Sequence, residues 1–151
     1  MTSEQRISAF IQLGTEIYQT FHAPDSELNI RQQQLLQLSD RMHHSNGWFT
    51  FENTKHALLG ISFMLKEENI RPWWNQYADQ FPQEKLHAVG VIMAGNIPAV
   101  GFHDFMCVLL SGNKLQAKLS SSDLVLIPAL AAMLCAIQPE FADRIIFTEE
   151  R

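Results

Sequence analysis

Residues 89–123 read VGVIMAGNIPAVGFHDFMCVLLSGNKLQAKLSSSD. The stretch opens inside an apolar run with β-branched residues, LHAVGVIMA over 86–94, that stops at Gly95. A short apolar run closed by a turn residue is a strand signal. A helical pattern follows over 98–111, then a second short run, LQAKL over 115–119. A Ser-rich turn leads into another helical pattern over 123–138, and RIIFT over 144–148 is a third short run. Strand, helix, strand, helix, strand predicts a parallel sheet joined by right-handed crossovers. The turns that follow the first two strands then lie on adjacent strands and face one crevice.

Upstream the texture is helical. Ile7, Phe10, Ile11, Ile17, Tyr18 and Phe21 recur near helical spacing until Pro24-Asp25 breaks the pattern. Ile30, Leu35, Leu38 and Met42 mark a second, Gln-rich helix with a stop at Asn46-Gly47. Residues 51–65 supply a third. Pro72 suits the first turn of a short fourth helix that carries Trp73, Trp74 and Tyr77. The period changes near Pro82. The expected organisation is an N-terminal helical region over 1–84 and a βαβαβ unit over 85–151, which makes the chain an α/β protein.

Composition narrows the function classes. The chain has 151 residues, 46% hydrophobic and 18% charged, enough apolar material for a packed core. The net charge is −5 and no basic run occurs, which argues against nucleic acid and anionic membrane as partners. No apolar run approaches the ~20 residues that span a bilayer. The start, MTSEQRISAF, lacks the features of a signal peptide. Two cysteines do not make a disulfide framework. A cytoplasmic protein with reduced thiols is expected.

The two turns carry the chemistry. In Met93-Ala94-Gly95-Asn96-Ile97-Pro98, Gly95 permits a close approach, Asn96 can cap the next helix and Pro98 suits its first turn. In Lys118-Leu119-Ser120-Ser121-Ser122-Asp123, a lysine ends the strand, and Ser122 or Asp123 can cap. A cation with hydroxyls suits a ribose or a phosphate. Taken singly, each turn also reads as an ordinary strand-to-helix connection. The glycines Gly90, Gly95 and Gly101 do not form the G-x-G-x-x-G fingerprint of a dinucleotide loop.

Residues 89–123 resemble the long-chain acyl-CoA reductases of the aldehyde dehydrogenase superfamily, whose best-known member is the fatty-acid reductase of bacterial luminescence. The resemblance implies reduction of a fatty acyl-CoA to the aldehyde with NADPH, through an acyl-thioester on a cysteine. It implies an aldehyde-dehydrogenase-like cofactor domain in the βαβαβ unit. Gly95-Asn96-Ile97-Pro98 is similar to the superfamily's Asn-Phe-Pro turn, so Asn96 inherits the role of oxyanion donor. A preorganised amide there typically contributes a factor of ~10²–10³. Lys118-Leu119-Ser120-Ser121 is similar to its Lys-Pro-Ser-Glu segment, in which the lysine contacts the adenosine ribose. Ser121 stands where the glutamate would fall. A carboxylate repels a 2′-phosphate and a serine does not, which favours NADP. The implied cofactor-binding set is Met93, Ala94, Gly95, Lys118, Ser120 and Ser121.

The implied nucleophile is expected beyond this chain, which would then be the first part of such a reductase and inactive alone. Cys107 and Cys135 sit mid-helix among apolar neighbours and are expected to be inert. The histidines show no metal-ligand spacing. Trp48, Trp73 and Trp74 are expected in packing, and the Gln run at 32–34 on a solvated helix face. The apolar strands predict self-association into a homo-oligomer unless the N-terminal helices cover them. A non-catalytic nucleotide-binding or interaction module is the competing reading.

Overall fold

The computed structural model describes residues 1–80 and 86–148. The period change at Pro82 and the division between 84 and 85 lie outside them.

Helix α1 (Ser3–His22) starts at a capping box in which Thr2 and Gln5 bond to each other's backbone N–H. Ile7, Phe10, Leu13 and Ile17 form its buried face, and Ala23 turns extended ahead of Pro24. Helix α2 (Ile30–Arg41) repeats the device with Asn29 and Gln32. Gln32 is buried, not solvated as expected: its amide also donates to Glu16 O and Gln19 Oε1, so it clasps α1. After α2 the chain continues as a 3-10 turn through Met42–His44. Trp48 departs from the packing expectation, being 81% exposed, because the neighbouring Phe49 takes the buried place.

Helix α3 (Phe51–Met64) leads almost directly into α4 (Glu67–Asn75). Pro72 lies inside α4, not in its first turn. The helix starts earlier because Ile70 and Trp74, one turn apart, are both buried, and Arg71 pairs with Glu67 and with Glu4 of α1. Those contacts offset the backbone bond that a proline removes.

The second part is a βαβαβ unit: β1 (Ala88–Ile92), α5 (Phe102–Leu110), β2 (Lys114–Lys118), α6 (Leu126–Ile137) and β3 (Ile145–Thr148). The strands are parallel in the order β1-β2-β3, with Val89 opposite Leu115 and Leu115 opposite Ile145. Single bonds extend the first pairing at both ends, from Lys114 N to His87 O and from Met93 N to Lys118 O. On β2, Leu115 and Ala117 are fully buried and Gln116 between them is exposed, so the helices cover one face.

Phe10 of α1 meets Phe102 and Phe105 of α5, and Phe141 beyond α6, edge-on at 5.8–6.3 Å. Arg6 of α1, itself buried, donates to Leu110 O at the end of α5. The helical region and the α/β unit therefore share one continuous core. Among the described residues nothing covers the opposite face of the sheet, where Ile92 is 87% and Ile146 48% exposed.

Candidate functional site

The chain leaves β1 at Ile92 and β2 at Lys118, paired residues of neighbouring parallel strands. Both following turns therefore lie at the same carboxyl edge. They also touch. A Cβ built on Gly95 would fall 2.3 Å from Ser120 Oγ and 2.5 Å from Ser120 Cβ. Only a residue without a side chain permits that approach. The close neighbour that Gly95 serves is the second turn itself.

Neither turn opens its helix in the expected way. Helix α5 begins at Phe102 rather than at Pro98, with Gly101 at its N-cap, so Asn96 does not cap it. Residues 97–100 instead close a turn, Val100 N donating to Ile97 O. Pro98 holds the second position and Ala99, at φ 54°, the third. A positive φ at that place ordinarily calls for glycine. The Asn96 side chain is exposed and makes no hydrogen bond among the described residues.

Helix α6 has Val125 at its N-cap with no side-chain bond there. Neither Ser122 nor Asp123 is the cap, but Asp123, two residues earlier, holds the start of the helix. It is buried, with Oδ1 accepting from Leu126 N at 3.2 Å and Oδ2 from Ala99 N at 2.9 Å. One carboxylate thus takes the first amide of α6 and staples the Asn96 turn. A Ser-rich cap signal marks Asp123 in the sequence; its bond to a backbone 24 residues away has no local signature.

The remaining expected site residues divide by burial. Ala94 and Ser121 are exposed, and Lys118 and Ser120 are half-buried. Ser120 Oγ accepts from Ser122 N. No carboxylate pairs with Lys118 among the described residues. The Met93 side chain is buried and packs beneath the first turn: a Cβ on Gly101 would lie 2.8 Å from its Sδ.

A family model described as acyl-CoA reductase (LuxC) matches residues 26–147. The chain belongs to that family. No curated protein and no solved structure matches it. The matched part of this acyl-CoA reductase chain holds both turns and the whole sheet, while α1, which precedes it, supplies the Phe10 packing.

Other features of the family member bear on chemistry. Cys107 and Cys135 are half-buried, not enclosed, and burial pushes both thiols up; the charge of Asp104 adds to the effect at Cys107. Cys107 Sγ lies 3.8 Å from the His103 ring nitrogens, one turn back on α5. A groove of about 330 Å³ runs between α3, α4 and α5, lined by Phe63, Met64, Asn69, Ile70, Trp73, His103 and Met106. A second cleft, of about 440 Å³ beside α1, takes no residue from either turn. Among the described residues no cluster of His, Cys, Asp or Glu could hold a metal ion, and no helix is long and apolar enough to cross a membrane.

Proposed function

We propose that this chain is the NADPH- and acyl-binding part of a reductase that converts a fatty acyl-CoA to the aldehyde through an acyl-cysteine. In this reading the βαβαβ unit, 85–151, belongs to an aldehyde-dehydrogenase-like cofactor domain and 1–84 is the helical region packed on it. One observation carries the reading. Among the described residues, an exposed amide, Asn96, and a cation without a carboxylate partner, Lys118, stand on touching turns at one sheet edge. That edge is where parallel α/β sheets receive nucleotides.

The residues present fit the cofactor. Lys118 offers an ammonium to ribose or phosphate oxygens, and Ser121 an exposed hydroxyl. The carboxylate nearest in sequence, Asp123, is buried with both oxygens committed to backbone N–H groups, so it does not stand against a 2′-phosphate. Met93, Ala94, Gly95 and Ser120, on the same two turns, complete the proposed cofactor-binding set. NADPH, when bound, supplies the reducing electrons.

Asn96 acts on the acyl group. As the thioester carbonyl becomes tetrahedral, its oxygen gains negative charge, and a fixed amide donor stabilises that charge more than the ground state. The apolar groove beside α5 suits the hydrocarbon chain. Cys107 and Cys135 lie within α5 and α6 and not on either turn, and burial pushes both thiols up, so this reading places the nucleophile elsewhere. Ile92 and Ile146 on the bare sheet face suit a second copy of the chain.

The test is NADPH oxidation with a long-chain acyl-CoA by the full protein that contains these residues. Asn96→Ala should lower kcat by a factor of ~10²–10³ with little change in cofactor KM. Unchanged kcat removes Asn96 from the chemistry. Light scattering over a concentration series checks the association: a persistent 17.2 kDa species from the chain alone would refute it.

A further inference from the structure

We infer that Asp123 is a positioning residue for the reaction, holding Asn96 in the geometry of an oxyanion donor from across the crevice. The inference rests on the proposed function for what Asn96 does, and on the structure alone for how Asn96 is held.

The turn that carries Asn96 is unusual in its backbone. Ala99 occupies the left-handed region at φ 54°, where a Cβ is sterically opposed, and it is buried. Such a residue stays there only when its surroundings over-determine it. The amide it presents in that conformation points to Asp123 Oδ2 at 2.9 Å. No other described side chain takes a backbone N–H from residues 94–100.

The same carboxylate closes the second turn. Asp123 Oδ1 accepts from Leu126 N at the start of α6, and Asp123 N donates to Ser120 O. Ser120 in turn fills the space that Gly95 leaves open. Asp123, Ala99, Gly95 and Ser120 therefore form one closed set of contacts around the crevice, and Asn96 projects from it. Its exposed side chain has no hydrogen bond of its own among the described residues, so its placement comes from the backbone that Asp123 pins. A donor misplaced by about 1 Å can cost on the order of 10²-fold in rate.

Two substitutions separate this role from the local bond to α6. In Asp123→Ser the shorter hydroxyl keeps only the local Leu126 N–H, three residues on, and no longer reaches Ala99 N across the crevice. In Asp123→Asn the shape is kept, yet one amide oxygen serves only one of the two N–H groups. Both are made in the full protein. In the absence of ligand, the Ala99 amide should exchange at least tenfold faster and the Asn96 side-chain NMR signal should shift, while Tm in Asp123→Ser falls because the buried Ala99 N–H loses its acceptor. With acyl-CoA and NADPH, kcat should fall about tenfold or more with KM for NADPH little changed. Unaltered Ala99 exchange and Asn96 signal in both variants would overturn the inference, whatever happens to Tm. Those readouts need no cofactor, so a wild-type protein that fails to reduce acyl-CoA would refute the proposed function without touching the positioning result.

Discussion

Gly95 and Ser120 lie so close that a Cβ on the glycine would sit 2.5 Å from the Cβ of the serine. Real Cβ atoms do not approach like this. The two strand-to-helix turns are thus joined into one structural unit by the missing side chain. Gly95→Ala should force them apart and destabilise the fold by about 1–3 kcal/mol, the usual range for overpacking. For a chain of this size that is a fall in Tm on the order of 2–10 °C. Ser120→Gly added to Gly95→Ala should recover part of the loss, because it removes the Cβ and hydroxyl that clash. Additive losses in thermal melts of the double variant would contradict this.

Ala99→Gly should be neutral or stabilising. Relief of the left-handed conformation is worth about 1–2 kcal/mol, set against about 0.4–1 kcal/mol of extra freedom in the unfolded chain. Chemical denaturation measures the balance. A loss beyond 1 kcal/mol would show that Ala99 is unstrained and that its methyl contributes chiefly by packing.

Cofactor choice should follow position 121. Lys118→Ala is expected to raise the apparent KM for NADPH by removing its cation. Ser121→Glu should move preference toward NADH, since the new carboxylate repels a 2′-phosphate and accepts from ribose hydroxyls. Steady-state kinetics with each nucleotide decide it. Equal use of both by wild type and Ser121→Glu refutes the assignment.

The thiols should be slow to alkylate at neutral pH. Burial raises the folded pKa of both Cys107 and Cys135, so thiolate forms only above the ordinary thiol range. Iodoacetamide labelling followed by mass spectrometry should accelerate as the pH climbs past that range. The linkage has a definite sign. The unfolded chain loses these protons first, so the stability contributed by the neutral thiols is present at neutral pH and lost as pH rises above the unfolded value. Fast labelling of Cys107 at pH 7, or turnover lost in Cys107→Ala, would return it to candidacy as nucleophile.

Much of this architecture was legible in residue order. The runs over 86–94, 115–119 and 144–148 alternate with two helical patterns, and a chain that alternates so has few ways to pair its strands except in parallel. Strand ends differ from expectation by one or two residues. Helix starts were less legible. Asn96 and Pro98 carry the local chemistry of a helix opening, yet α5 begins at Phe102, because Asp123 takes the Ala99 amide and the backbone turns left-handed. Pro72 sits inside α4 for a similar reason: the burial of Ile70 and Trp74 overrides its local preference.

By itself, then, the sequence determined the order of strands and helices, the parallel sheet, the two turns at its carboxyl edge and the family they belong to. These follow from apolar periodicity and turn residues, which act over a few neighbours. The tertiary structure alone decided that Gly95 is there for Ser120, that Gln32 is buried against α1 and that Trp48 is not, that Phe10 ties the helical region to α5, and that one buried carboxylate staples the crevice. Each depends on which distant groups the packed chain brings within a few ångströms, and no local pattern encodes that distance.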